Sequence, residues 1–533
     1  MQAVSVGLLL LLVAAVTTGI VRKVRIPLPL LQIAAGAVLA CVGLHVELEP
    51  ELFLLVFIPP LLFIDGWRIP KADFRRFRKT ILLLAFGLVV VSVLAIGTLI
   101  ELCIPAIPPF VAFALASALS PTDAVAVAGI AGRTSVPPKL MHILQGEALL
   151  NDASGLVCLR VAIAAIATGT FSWSRAAASL ALVALGGIVV GFCVAWFFSR
   201  LQKLAFGTRD DAPEARILLV VTIPYIAYVL GEQVHVSGIL AAAAAGMVMP
   251  RLGLFDPSES VARRQTMSVL GALELGLNGL VFVLLGLQLP AIVRNAPHVV
   301  AEGRLGSWPV LVLATVGTAF GLFAVRFAWA WVSMRLTLRR RPEAPILRIV
   351  VATAFAGARG AVSLAATLTL PLVVVTPEGA YPARDVGVCI AAGVILLSLV
   401  SASIGLPFAF RGVQLEDRED TGEARAALRA SLGEVGIAAV ERARDEAKDP
   451  GSLEAAVDIV VDAYRMRPTD EGSEHALRAQ SVFDLRRIGI AAERQHVTEL
   501  YRKQEIDDVL HFESLRELDA LEEAIAKPAP QHH

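Results

Sequence analysis

Two stretches decide how this chain is read: SPTDAVA, residues 120–126, and GEALLND, residues 146–152. The first sits about halfway along a long apolar run, 109–131, and the second lies within another, 141–168. Runs of about 20 apolar residues cross the roughly 30 Å hydrocarbon core of a bilayer. Ionisable side chains at mid-depth are costly there and tend to mark function. Pro121 removes a backbone donor, and lipid offers nothing to the freed carbonyls and amides. Asp123 is placed to compensate exposed amides at the start of a second half-helix. In the second stretch Glu147 and Asn151 are one helical turn apart on one face, with Asp152 offset by about 100°. The structural alternatives are a proline kink capped by Asp123 and an interhelical polar cluster.

The surrounding composition fits a membrane setting. Of 533 residues, 56% are hydrophobic and 18% charged, against about 25% charged in soluble domains. The charge is unevenly spread. Residues 411–533 hold 17 Lys/Arg and 27 Asp/Glu, leaving 30 basic and 20 acidic residues in the first 410. This pattern excludes a nucleic-acid binder, a secreted disulfide domain and a single soluble enzyme. The cysteines (Cys41, Cys103, Cys158, Cys193, Cys389) fall in apolar runs without CxxC spacing and read as small buried hydrophobes.

Thirteen apolar segments are predicted to span: about 2–20, 27–45, 51–67, 80–104, 109–131, 141–168, 177–198, 216–232, 236–250, 264–290, 308–334, 346–375 and 385–408. The first lacks a basic n-region and reads as a retained helix rather than a signal peptide. Every second loop is basic, from Arg22-Lys23-Arg25 through Arg68–Lys79, Arg133/Lys139, Arg200/Lys203/Arg209 and Arg251/Arg263/Arg264 to Arg335–Arg341. The loops between are mostly acidic or neutral. Positive loops face the cytoplasm, so the N-terminus is expected outside and the C-terminus inside, in the plasma (inner) membrane. From 411 the chain reads as a soluble, helical, regulatory tail, most clearly in VLHFESLRELDALEEAIA (509–526), with a disordered end KPAPQHH (527–533).

Two further places break the membrane's rules. GARGAVSLA (357–365) puts Arg359 between two glycines near the middle of the twelfth segment. There it can compensate carbonyls of a broken helix, or be held by a carboxylate in an unbroken one. Arg326, in FAVRFAWAW, needs a carboxylate, and Glu147 is the candidate. A broken helix in each half points to inverted repeats around a midplane site; seven segments apart, the two run in opposite directions. Weaker signals are Glu274 and Asn278 sharing a face, Arg160 two turns beyond Asp152, and Asp65, which reads as interfacial.

These residues resemble the monovalent cation/proton antiporters of the NhaP/NHE type, through FIPPLLF (57–63), SPTDAVA, GEALLND, NGLVFVLLGLQ (278–288) and GARGAVSLA. The resemblance implies an all-α homodimer of thirteen-span protomers with two crossing discontinuous helices. Residues 1–410 would form the transporter, with core spans about 80–168 and 308–408 and dimerisation or scaffold spans about 2–67 and 177–290. It further implies that Asp152 binds cation or proton, with Asp123 and Thr122 at the Na⁺ site and Asn151 in support. Arg359 and Asp123 would balance the helix ends, and Glu147 and Arg326 would form a core ion pair. Members often carry Ser where this chain has Ala148. Water or Ser154 can stand in, and Glu274 is either a second proton site or a hydrogen-bonded packing residue.

Na⁺ prefers oxygen ligands, which these residues supply. A carboxylate kept from water resists standing ionised without a companion cation, so proton and cation compete for one site. Asn151 cannot exchange a proton near neutral pH, and one titrating group predicts electroneutral one-for-one exchange. A K⁺/H⁺ antiporter, a cation channel and a non-transporting sensor are the rivals. No cofactor or enzyme chemistry is expected, since the sequence has no hydrolytic triad, P-loop or metal cluster. The expected partners are monovalent cations, protons, lipid, a second copy of the chain and a regulator of the tail.

Overall fold

In a computed structural model the chain separates into two units, Met1–Val413 and Gln414–His533. The structure describes residues 2–410 except 22, 25, 47, 70, 132–135, 137, 171, 207–212, 253–259, 338–345 and 377–378. Beyond 410 it describes 431, 433–446, 454, 457–462, 489–500, 503, 514–515 and 518. Arg22, Arg25, Arg133, Arg209 and Arg339–Arg341 of the basic loops lie outside the described residues, as do most of 509–526 and all of 527–533.

The first unit is a succession of helices. They are α1 (Gln2–Ile20), α2 (Leu28–Cys41), α3 (Pro50–Arg68) and α4 (Lys71–Leu82), which runs through a π-helical turn at Leu83–Gly87 into α5 (Leu88–Cys103). Then come α6 (Pro109–Leu119), α7 (Ala124–Ala131), α8 (Pro138–Thr168), α9 (Trp173–Phe206), α10 (Pro213–Gln233), α11 (Gly238–Val248) and α12 (Ser260–Glu302). The last are α13 (Trp308–Thr337), α14 (Ile346–Phe355), α15 (Ala361–Leu368) and α16 (Ala383–Phe410). Among the described residues, eight helices are long and apolar enough to cross a membrane, nine if the pair α6–α7, bent by 48°, counts as one. Ser5–Ile20, Leu28–Cys41 and Gly238–Arg251 are apolar but shorter. A 14-residue helix such as α2 is only about 21 Å long at 1.5 Å per residue.

Several boundaries differ from the sequence reading. The tenth segment does not stop at 290 but continues as α12 to Glu302, through Pro290 and Pro297. The twelfth ends at Leu368, and its last expected residues, 374–375, belong instead to a strand, β1 (Val374–Thr376), paired antiparallel with β2 (Gly379–Tyr381). A β-branched Val run favours a strand there; Gly379 sits at φ 116°. The cysteines are free and none is buried: Cys41, Cys103 and Cys193 are exposed, and Cys158 and Cys389 are half-exposed. The first three lie on helix surfaces, whereas Cys389 packs against the hydrophobic core.

Helix α11, GILAAAAAGMV, is buried along nearly its whole length and packs among α3, α9 and α10. Small residues let backbones approach closely where lipid gives no hydrophobic drive for association. A Cβ at Gly66 would lie 2.5 Å from the carbonyl oxygen of Ala243, and one at Gly246 would meet that of Phe63. Helices α2 and α12 interlock in the same way through Gly36 and Gly286. Gly246→Ile should therefore cost about 1–3 kcal/mol by overpacking, read as a lowered thermal midpoint in detergent. Gly7→Ile, where nothing lies within 4 Å, should stay within about 0.5 kcal/mol.

Candidate functional site

Both broken segments open at the same place. Between α6 and α7 the chain is non-helical over Pro121–Asp123, and between α14 and α15 over Gly357–Gly360. The breaks touch through the backbone, where the Asp123 amide donates to the Ala358 carbonyl at 2.8 Å. A side chain at position 360 would run into the Asp123 carboxylate, so only glycine allows this approach.

The helix ends at the crossing are satisfied by charge. Asp123 Oδ1 accepts from the amides of Val125 (2.9 Å) and Ala126 (3.0 Å), in the first turn of α7. Arg359 Nε donates to the carbonyl of Leu119, the last residue of α6, at 3.2 Å. Its Nη1 donates to the Gly357 carbonyl at 2.5 Å, and its amide to Ser398 Oγ at 3.0 Å. These are the orphan carbonyls and amides that every helix terminus leaves.

A second network ties α8 to both breaks. Arg326 pairs bidentately with Glu147, Nη2 to Oε2 at 2.9 Å and Nη1 to Oε1. The two side chains are only 1% exposed. Arg326 Nε also donates to the Thr353 carbonyl in the last turn of α14, at 2.7 Å. Thr122 Oγ1 donates to Glu147 Oε1 at 3.3 Å and accepts from Asn151 Nδ2 at 2.8 Å. Asn151 Oδ1 is buried without a partner.

Next to this frame lies a cavity. Asp152 and Ala148 of α8, Thr122 and Asp123 of the first break, Gly360 of the second, Ser363 of α15, Asn278 of α12 and Asp65 of α3 line it. Among the described residues no Lys or Arg is paired with Asp152, since Arg326 is engaged by Glu147 and Arg359 by carbonyls.

Three sequence readings need correction. Asp65 is not interfacial: it lines the cavity with Asp123 and Asp152. Its nearest basic neighbour in sequence, Arg68, pairs instead with Glu274. Glu274, expected as a second proton site, is thus held in an ion pair, while Asn278, one turn on, reaches the cavity wall. Ser154 does not replace the hydroxyl missing at Ala148. It lies roughly 200° around the helix from Asp152, and its Oγ donates to the Ala85 carbonyl at 2.7 Å.

Residues 8–412 match the family described as sodium/hydrogen exchanger, transmembrane. The chain is 39% identical over 528 residues to the uncharacterized Na⁺/H⁺ exchanger YjcE of Escherichia coli K12, covering 95% of this chain and 96% of that one. It is 33% identical over 531 residues to a sodium, potassium, lithium and rubidium/H⁺ antiporter of Bacillus pumilus, covering 97% of this chain and 77% of the relative. In fold it is similar to the sodium proton antiporter MjNhaP1 of Methanocaldococcus jannaschii, with a TM-score of 0.59 at 17% identity over 77% of this chain and 98% of that one.

Breaking a buried ion pair from one side strands the other charge, at about 3–5 kcal/mol, whereas removing both partners is far milder. Glu147→Gln should accordingly lower the thermal midpoint in detergent sharply. Glu147→Leu combined with Arg326→Met should recover much of the loss; a double variant no better than the single would contradict this.

Proposed function

Since the chain belongs to the sodium/hydrogen exchanger family, we propose that it exchanges Na⁺ for H⁺ by alternating access, with the two competing for Asp152. As a member it is a multi-pass cation/proton antiporter of the membrane. The finer reading gives thirteen spans with inverted repeats, N-terminus outside and C-terminus cytoplasmic, in a homodimer. The core comprises α4–α8 and α13–α16; α1–α3 and α9–α12 form the scaffold and dimer contact; the tail regulates.

The observation that supports this reading is the unpaired carboxylate of Asp152 at a crossing whose guanidinium groups are all engaged elsewhere. An uncompensated charge out of water is expensive. Asp152 therefore holds a proton or a cation while the core moves and does not move empty. Asp123 has one carboxylate oxygen engaged by amides and a second to offer, and Thr122 keeps one lone pair. Asp65 and Asn278 face Asp152 from the scaffold side and add oxygens to the shell.

Ala148 contributes no oxygen, so the site is less restrictive than one with a hydroxyl there. The Bacillus pumilus relative, described as accepting sodium, potassium, lithium and rubidium, favours a second reading in which K⁺ is also carried. Asn151 cannot exchange a proton, and if Asp65 keeps one charge state through the cycle, exchange is one-for-one and electroneutral.

The test is dissipation of a pH gradient in vesicles holding purified protein, on addition of Na⁺, Li⁺, K⁺ or Rb⁺. Wild type should respond to Na⁺ and to at least one larger ion, and Asp152→Asn should not respond at all. Ala148→Ser should narrow the selectivity, and Asp65→Asn should raise the cation KM. A potential imposed without ion gradients should leave wild type at rest. Exchange driven by potential alone would bring Asp65 in as a second proton carrier, and activity surviving Asp152→Asn would move the carrier site elsewhere.

A further inference from the structure

Arg160 lies on α8 about 12 Å beyond Asp152 along the helix axis. Its Nη2 donates to both carboxylate oxygens of Glu232, at 2.9 and 2.7 Å. Glu232 closes the last turn of α10, and its Oε1 also accepts from the amide of Gly238, the first residue of α11, at 3.2 Å. The corner is tight: a Cβ at 238 would come within 2.5 Å of the Tyr228 carbonyl and 3.1 Å of Glu232 Cγ. One partner is thus fixed to the buried α11, and the other rides on the helix that carries Asp152.

The pair is partly open to its surroundings, with side chains 52% and 32% exposed. It is also remote from the Arg68–Glu274 pair, which ties the end of α3 to α12. The N-terminal half of α8 packs against α4, which follows Arg68, with Gly146 seated on Ile81. Arg160 belongs to the opposite, C-terminal half.

We infer that Arg160 and Glu232 form an ion-pair latch that holds α8 against the α10–α11 corner and closes the face of the site opposite the Arg68–Glu274 pair. The inference rests on the division into moving core and scaffold proposed above. Movement of α8 with the core breaks the pair, so the latch weights the population of the two access states. Apparent affinity on either face is reduced by the fraction of molecules open to it. Weakening the latch raises the minor, oppositely open fraction and leaves the chemistry of Asp152 untouched.

The test measures the Na⁺ KM separately on each face of vesicles for Arg160→Gln, Glu232→Gln, the double variant and the swap Arg160→Glu/Glu232→Arg. Each single variant should lower the ratio of the latched-face KM to the cavity-face KM by about three- to tenfold. The double variant should add little, and the swap should return toward wild type. An unchanged ratio in both single variants, or additive effects in the double, overturns the latch. Independently of transport, pulsed electron-spin distances are measured between labels at Thr168 and Val234, both exposed, in a chain with its five cysteines replaced. Wild type should give one dominant short distance, and the single variants a larger share of longer ones. If that share does not change, the latch is wrong. If it changes while wild type moves no protons with any cation, the exchange reading fails and the latch stands.

Discussion

Two helices broken inside the membrane set the terms for everything else in this chain. A broken helix exposes amides on one side and carbonyls on the other, and lipid can satisfy neither. The protein answers with opposite charges at one crossing: Asp123 takes the amides at the start of α7, and Arg359 takes the carbonyls that end α6 and follow α14. The glycine at 360 is what allows the two breaks to come close enough for this exchange of partners. An opened backbone held in this way is a polar spot in an otherwise apolar layer.

The Glu147–Arg326 pair extends the same logic. It ties α8 to α13 and reaches the last turn of α14 through the Thr353 carbonyl and the first break through Thr122. Buried pairs of this kind contribute little net stability and are better regarded as fixing one arrangement. Here the arrangement consumes the nearby guanidinium groups and leaves Asp152 facing the cavity without one. In the proposed exchange, a cation is admitted as much by what is missing beside Asp152 as by what is present. The surrounding glycine- and alanine-rich helices supply a close-packed frame against which such a site can move as a unit.

Much of this was legible in the sequence because charge in an apolar run is conspicuous. Asp123, Glu147, Asp152, Arg326 and Arg359 all announce themselves by that contrast, and the 3.6-residue period places Glu147 and Asn151 on one face. Asp65 was not legible. It stands three residues before Arg68 at a helix end, where a local ion pair is the simplest expectation, and only the folded arrangement shows Arg68 reaching α12 instead. Ser154 fails for a reason the helix period already contains, since two residues on from Asp152 is nearly the far side. The hairpin's first strand overlaps the end of the twelfth predicted span because its Val run is as apolar as a helix.

If one carboxylate serves cation and proton in turn, cation binding must release a proton. Purified protein in lightly buffered detergent solution would be titrated with Na⁺ while the pH is followed, near the pH at which the site is still protonated. The account predicts close to one proton released per Na⁺ bound per protomer, and neither binding nor release in Asp152→Asn. Na⁺ binding without proton release, or release that persists in the variant, would contradict it.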